Sequence, residues 1–397
     1  MGYVNQASPG TWIAFWREAS GKQRSKSFRT KKAATTFLAQ VELSKSSGTY
    51  VSPHAGRALF GTHATEWMKS WNTERTTRAR DESIMRTHVL PKWSTWQLGK
   101  IDHLSVQTWL GEIGEGRSRA TVAEAKRLMA GVMQSAMKNK LIGSDPTAGV
   151  RIPKRRERDT DERLLTRDEV RQQLLPMIQP QRYRALVASG AFAGLRWGEA
   201  AGLSVDAVDV DAGVINVIRT VTEVAGHVEF KAFPKSRAGR RSIPIPGWLV
   251  NDLVCHMEDH EQGQNGLIFT NEVGGPLRRT LFRSRVWRPA LVRAGLLGEV
   301  SAVGSKFEAV WKNAAGEVES EVFGKYDQAV RMVARSESGG VRFHDLRDMY
   351  GTWLADDGVP PHKIAVVMGH ENVATTYQHY IRKTDDHDAV RRSMGDE

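Results

Sequence analysis

Residues 151–163 divide the chain. The run is polar and basic, with Lys154, Arg155 and Arg156 after Ile152-Pro153, and it follows the helix-ending pair Asp145-Pro146. A stretch with so little apolar surface cannot offset the entropy of ordering it into a core, so it reads as a linker between separately folded bodies. Directly after it, Thr166 and Glu169 stand three apart, the spacing of a helix capping box, and open a second, larger body. The 397 residues are too many for one ordinary domain. No apolar run approaches the ~20 residues of a membrane-spanning helix, and residues 1–10 lack a signal-peptide apolar core. The one cysteine, Cys255, can form neither an internal disulfide nor a thiolate cluster. It lies beside Leu253 and Val254 and is expected in the core of a protein in a reducing, cytoplasmic setting.

The first body has two parts. Residues 11–17 and 23–29 are rich in aromatic, branched and alternating basic residues and are expected as strands, joined by a turn at 19–22. Thr30 then caps a helix whose stripe is Ala34, Phe37, Leu38 and Val41, and Gly48 ends it. The first 50 residues hold eight Lys/Arg against two acids, half of the whole chain's +12. Such a surplus attracts polyanions, DNA above all. Arg17, Lys22, Arg24, Lys26, Arg29 and Lys31 are therefore candidate DNA contacts, against the plainer reading of a solvated charged surface. Residues 58–148 read as all-helical, with candidates at 59–71, 76–89, 104–113 and 118–142. The last carries a stripe at Val122, Ala125, Met129, Val132 and Ala136, spaced as one buried helix face. Arg78, Arg117, Arg119 and Lys126 stand at helix starts or on polar faces, where together they could grip phosphates.

The second body reads as helices, a β region over 214–245, and more helices. Five places in it draw attention: GLRWGE at 194–199, Lys235 with Arg240 and Arg241 behind it, HDLR at 344–347, Gly369-His370, and Tyr380. Each alone has an ordinary explanation, since a lone arginine is usually a salt-bridge partner and a lone tyrosine usually packs. The ordered set is another matter. Arg, Lys, His-x-x-Arg, Gly-His and then Tyr ten residues later resembles the active-site signature of tyrosine recombinases of the phage-integrase type. The surrounding words GLRWGEAAGL, FHDLRDMYGTWLADDGV and VVMGHENVATTYQHYIR resemble that family's motifs, and the likeness extends over nearly the whole chain.

The resemblance implies a multidomain, mainly α fold with small β-sheets (α+β): an arm-type DNA-binding domain at 1–54, a helical core-binding domain at 58–150, the linker at 151–163, and a catalytic domain at 164–397. It implies site-specific cutting and rejoining of DNA through a covalent 3′-phosphotyrosine. Tyr380 is the expected nucleophile by spacing, ahead of Tyr377 and Tyr350, with Tyr377 expected to pack. Arg196 and Arg347 suit the charge that develops on the phosphoryl oxygens, because a guanidinium fork is bidentate and does not titrate near neutrality. A phenol of ordinary pKa near ~10 needs that positive cluster, and a base such as His344, to lose its proton. Lys235 is expected to protonate the leaving 5′-oxygen, His370 to hydrogen-bond the phosphate, and Glu199 to buttress Arg196. Arg240 and Arg241, in the same hairpin as Lys235, are further expected DNA contacts. The covalent intermediate stores the bond energy, so neither ATP nor a metal is expected; a zinc site from His362, His370 and His379 lacks a thiolate or a His-Glu-x-x-His helix. Partners implied are double-stranded attachment sites, a homotetramer on DNA, a directionality factor and a host DNA-bending protein, with no membrane role.

Two departures stand out. The family often has His directly after the second arginine, where this chain has Asp348, and residues 298–340 look like extra sequence with a helix near 326–336. Rival functions are a type IB topoisomerase-like relaxase, against which the basic N-terminal module argues, and a non-catalytic architectural DNA-binding protein, against which the complete residue set argues.

Overall fold

The structure is a computed structural model that describes residues 2–18, 21–52, 54–153, 164–224, 226–231 and 239–380. Contacts divide the chain into two units, residues 1–160 and 161–397.

The first unit begins with strands β1 (Tyr3–Ser8), β2 (Thr11–Arg17) and β3 (Gln23–Phe28), an antiparallel meander in the order β1-β2-β3. Helix α1 (Lys31–Ser46) lies on it, and the Thr30 hydroxyl accepts the Ala33 amide at 3.2 Å, as the sequence signal requires. The register pairs Trp12 with Phe28, Ala14 with Lys26 and Trp16 with Arg24. Side chains directly opposite share a face, so Arg24 and Lys26 share the α1 side with the buried Ala14 and Trp16. The Lys26 ammonium sits 4.9 Å from the Phe37 ring of α1. The opposite face carries Tyr3 stacked on Phe15, together with Ile13, Arg17, Gln23 and Ser25. Strand β1 was not expected from its sequence.

The helical part follows as α2 (Phe60–Lys69), α3 (Arg75–Ile84), a π-helical turn over Met85–Val89, α4 (Leu90–Trp93), α5 (His103–Gly116) and α6 (Arg119–Lys138). Asp102 and Ser118 cap α5 and α6 through their side-chain oxygens. The α6 stripe Val122, Ala125, Met129, Val132 and Ala136 is buried as its spacing requires, against Phe60, Trp93 and Trp109 among others.

In the second unit Thr166 and Glu169 cap each other reciprocally, amide to carboxylate at 2.8 Å and amide to hydroxyl at 3.2 Å. The central element is α7 (Arg184–Phe192), whose Ala185–Ala191 are all buried, as befits a helix enclosed on every side. There follow α8 (Trp197–Ala200), β4 (Val208–Asp209), β5 (Val214–Val217), β6 (Thr220–Val224), β7 (His227–Lys231), β8 (Arg241–Pro244), α9 (Gly247–Asp259), α10 (Arg279–Phe282) and α11 (Arg288–Arg293). One sheet has the order β4-β5-β8, and β6 pairs with β7 alone.

Residues 299–323 form a third small sheet, β9 (Glu299–Val303), β10 (Lys306–Lys312) and β11 (Val318–Phe323), in the order β11-β10-β9. Helix α12 (Tyr326–Ser336) covers the side bearing Ala309 and Trp311. The helix was expected and the sheet was not. Last come α13 (Asp345–Asp356), α14 (Pro361–Met368) and α15 (Val373–Tyr380), with α13 packed on both α7 and α15. Cys255 is exposed, contrary to expectation. The buried face of α9 runs through Leu249, Val250, Leu253 and His256, which turns position 255 outward; His256 instead sits inside, its Nε2 3.0 Å from the Ile268 carbonyl.

Candidate active site

Arg196 follows a tight turn at Gly194, whose φ of +59° and whose contact with the Tyr350 ring both exclude a side chain. Its Nη1 donates to Glu199 Oε1 at 2.8 Å and its Nη2 to the Gly369 carbonyl at 3.3 Å. Glu199 thus buttresses Arg196, as its position three residues on suggested, but it has a second partner. Arg241 donates to both its oxygens, at 3.0 and 2.8 Å, and through Nε to the Val367 carbonyl at 2.6 Å. Burial favours the neutral acid at Glu199, yet the Arg241 hydrogen bonds and the charges of Arg241 and Arg196 outweigh it and hold the carboxyl at about 2.

This corrects the expectation that Arg241 reaches DNA. Its side chain is 2% exposed. Along β8, Arg241 and Ile243 point inward while Ser242 and Pro244 point out, an alternation that could have been read from the sequence. Lys126 is half-buried with its ammonium on the Val150 carbonyl at 2.6 Å, and Arg24 is half-buried in an ion pair with Glu18 at 3.0 Å, so neither is an open phosphate contact. Arg17, Lys22, Lys26, Arg29, Lys31, Arg78, Arg117, Arg119 and Arg240 are exposed, with Arg78 paired to Glu82 at 2.8 Å.

Arg347 stands in the first turn of α13 and is 1% exposed. It donates to the Gly194 carbonyl at 2.6 Å and to the Met368 carbonyl, tying α13 to the Arg196 turn and to the end of α14. Carbonyls orient a guanidinium without neutralising it. Burial, with the like charge of Arg196 next in effect, pulls Arg347 down to about 9, so it remains a cation at neutral pH. His370 follows Gly369, which ends α14 in the left-handed conformation at φ +63°. Its Nδ1 is 2.9 Å from the buried Thr376 hydroxyl, and its ring stacks on Tyr380 at 5.8 Å and 10°.

Tyr380 ends α15 and is 5% exposed. Its ring lies against Gly351 of α13, where a Cβ would come within 2.8 Å of it. Its hydroxyl donates to Asp348 Oδ1 at 3.0 Å. Burial, then the Asp348 charge, push the phenol well above its usual range, against the opposing pull of Arg347 and Arg196. His344 begins α13 and reaches solvent at its edge; burial nonetheless lowers its imidazole, with Asp348 opposing. Arg196 from the start of α8, His344 and Arg347 from the start of α13, His370 after α14 and Tyr380 at the end of α15 are thus drawn together. Tyr377 is 54% exposed and does not pack, contrary to expectation. Lys235 lies outside the described residues. Asp348 and Thr376 are the site residues that the sequence pattern did not assign.

The fold is that of the tyrosine recombinases. An integrase of the transposon Tn1549, solved in complex with circular intermediate DNA, matches with a TM-score of 0.60 at 17% identity, over 85% of this chain and 99% of that one. A lambda integrase dimer bound to a core site matches at 0.54 and 14% identity, over 95% and 93%. Residues 313–387 match the model described as phage integrase family. A Mycobacterium tuberculosis protein described as a prophage phiRv2 integrase is 27% identical over 278 residues, 68% of this chain and 72% of that protein. The prophage integrase IntR of Escherichia coli is 23% identical over 68% of this chain and 59% of its own length. The family match thus lies in residues 313–387, and the likeness in fold and in sequence to integrases of phages and prophages extends over most of the chain.

Proposed function

We propose that the chain is a site-specific recombinase that integrates or excises a mobile element, with Tyr380 as its nucleophile. The observation that carries this is Arg347: a buried cation beside a second guanidinium whose hydrogen bonds, among the described residues, go to carbonyls. Such a pair calls for an anion, and a phosphodiester placed between Arg196 and Arg347 supplies one at the site where the Tyr380 hydroxyl lies. The guanidiniums then stabilise the charge of the pentavalent transition state. His370 donates to the same phosphate, and its contact with Thr376 fixes its ring. Lys235 protonates the 5′-oxygen as it leaves. The energy of the broken bond is kept in the phosphotyrosine, so rejoining needs neither ATP nor a metal.

The remaining assignments follow the same reading. Residues 1–54 bind arm sites, residues 58–150 and the catalytic domain from 164 onward hold the core site, and 151–163 link them. The lambda relatives were solved as a dimer on a core site and as a tetramer on a Holliday junction, and we assign this chain a tetramer exchanging one strand pair and then the other. A directionality factor and a host bending protein complete the assembly. The test is covalent capture: labelled DNA from the flanks of the gene, incubated with purified protein and chelator, then resolved under denaturing conditions. A protein-linked band lost in Tyr380→Phe and kept in Tyr377→Phe supports the reading. A band that survives Tyr380→Phe removes the nucleophile assignment, and DNA binding with no band in any protein favours an architectural role.

A further inference from the structure

We propose that Asp348, not His344, takes the proton from the Tyr380 phenol during strand cleavage. The inference rests on the reading of Tyr380 as nucleophile and goes beyond it. The phenol is nearly enclosed, so water has little access to its proton. Its hydroxyl already points at Asp348 Oδ1, 3.0 Å away. His344, one helical turn earlier on α13 and on the same face, makes no hydrogen bond to the phenol among the described residues.

The electrostatics fit an acceptor held ready for the moment of attack. Burial and the carboxylate keep the resting phenol protonated, so the proton has to leave as the bond to phosphorus forms. The Tyr380 O–H bond breaks and its proton passes to the Asp348 carboxylate. The phenolic oxygen bonds to phosphorus, the P–O5′ bond breaks, and the leaving 5′-oxygen takes a proton from the general acid assigned to Lys235. In rejoining, the 5′-hydroxyl returns its proton to the group assigned to Lys235 as its oxygen bonds to phosphorus, the bond from phosphorus to the Tyr380 oxygen breaks, and the departing phenolate recovers its proton from the Asp348 acid. A protonated Asp348 also puts one fewer negative charge beside the phosphotyrosine.

The charged and titratable groups that face this pair are His344, Asp345 and Arg347 from α13, Arg196 and Glu199 from the start of α8, and His370 after α14. His344 is titratable, its imidazole lowered by burial, and His370 is unchanged in every variant of the comparison. The His344 contribution is removed by running each comparison also in a His344→Gln background.

The experiment measures single-turnover formation of the covalent adduct on a nicked duplex that prevents religation, as a function of pH. Asp348→Asn keeps an acceptor oxygen in place but cannot take a proton. We expect it to be about a hundredfold slower or more, within the usual range for a lost general base. We expect its rate to climb with pH where that of the wild type is level, and its DNA affinity in native gels to be unchanged. Asp348→Glu should recover part of the rate. A 5′-bridging phosphorothiolate, whose leaving group needs no proton, should leave the Asp348→Asn defect in place. Asp348→Asn within about threefold of wild type with the same pH profile, or faster than wild type, overturns the inference. An adduct that persists in Tyr380→Phe instead overturns the underlying reading, so the two failures are distinct.

Discussion

Glu199 is the residue on which the site's geometry turns. Its carboxylate accepts from Arg196 and Arg241, and through Arg241 it reaches the Val367 carbonyl near the end of α14. A buried ion pair of this kind contributes little net stability against an apolar substitute, but breaking it by removing one partner costs roughly 3–5 kcal/mol. Glu199→Gln should therefore lower the urea midpoint of the catalytic unit and leave Arg196 without its orienting partner. The sign of the pH dependence follows from the depressed carboxyl, about 2 in the folded protein against 4.5 for a free glutamate. The contribution is fully present above 4.5 and is lost as the pH falls from there towards 2. The gap between wild-type and Glu199→Gln midpoints should be wide at pH 6 and narrow by pH 2.5. A gap of the same width at both pH values would show that the charge on Glu199 does not matter. The sequence offered Glu199 as a buttress because three residues on a helix start bring it back to Arg196. It could not offer Asp348 as the partner of Tyr380, because their separation of 32 in sequence is closed by the packing of α15 on α13 and not by any local spacing.

Among the elements, helices were read well because caps and stripes are local. Thr30, Ser118 and the Thr166–Glu169 pair cap as their chemistry demands. Strands were read less well. In β10, Phe307, Ala309 and Trp311 face α12 while Glu308 and Val310 face away, a period of two that is masked in the sequence because the glutamates of the neighbouring strands fall on both faces, Glu319 and Glu321 opposite Trp311 and Ala309 and Glu299 opposite Val310. β1 has a single half-buried residue, Val4, and its polar sequence hides the strand altogether. Packing can also reverse a propensity. Gly131 lies inside α6, where alanine is intrinsically better by about 1 kcal/mol. A Cβ there, however, would lie 2.4 Å from the Trp67 ring. Overpacking of this kind typically costs ~1–3 kcal/mol, so the steric term wins. Gly131→Ala is expected to lower the thermal midpoint of the 1–160 unit, read by circular dichroism. A raised midpoint would mean that Trp67 swings aside freely and that propensity decides.

At the scale of the whole molecule the charge is divided unequally. Residues 1–160 hold 27 Lys/Arg against 13 Asp/Glu, a net of +14, whereas residues 161–397 hold 30 against 32, a net of −2. The unit with the proposed nucleophile is thus close to neutral overall. Under the proposed function, the non-specific hold on DNA belongs to the first unit and the chemistry to the second. Counterion release makes this measurable, since each phosphate contact that is lost reduces the slope of log K against log salt by about 0.9. Neutralising the exposed Arg17, Lys22, Arg29 and Lys31 together to glutamine should flatten the slope by up to roughly 3–4. Neutralising Lys306, Lys312, Lys325 and Arg335, on the β9–β11 sheet and at α12, removes the same formal charge and should leave the slope within error of wild type. Equal flattening by both sets would mean that net charge alone governs binding. Flattening by the second set only would place the DNA-gripping surface on the β9–β11 sheet and α12, and take residues 1–54 out of the proposed role. Because both sets change the net charge equally, the difference between their slopes reports contact and not overall attraction.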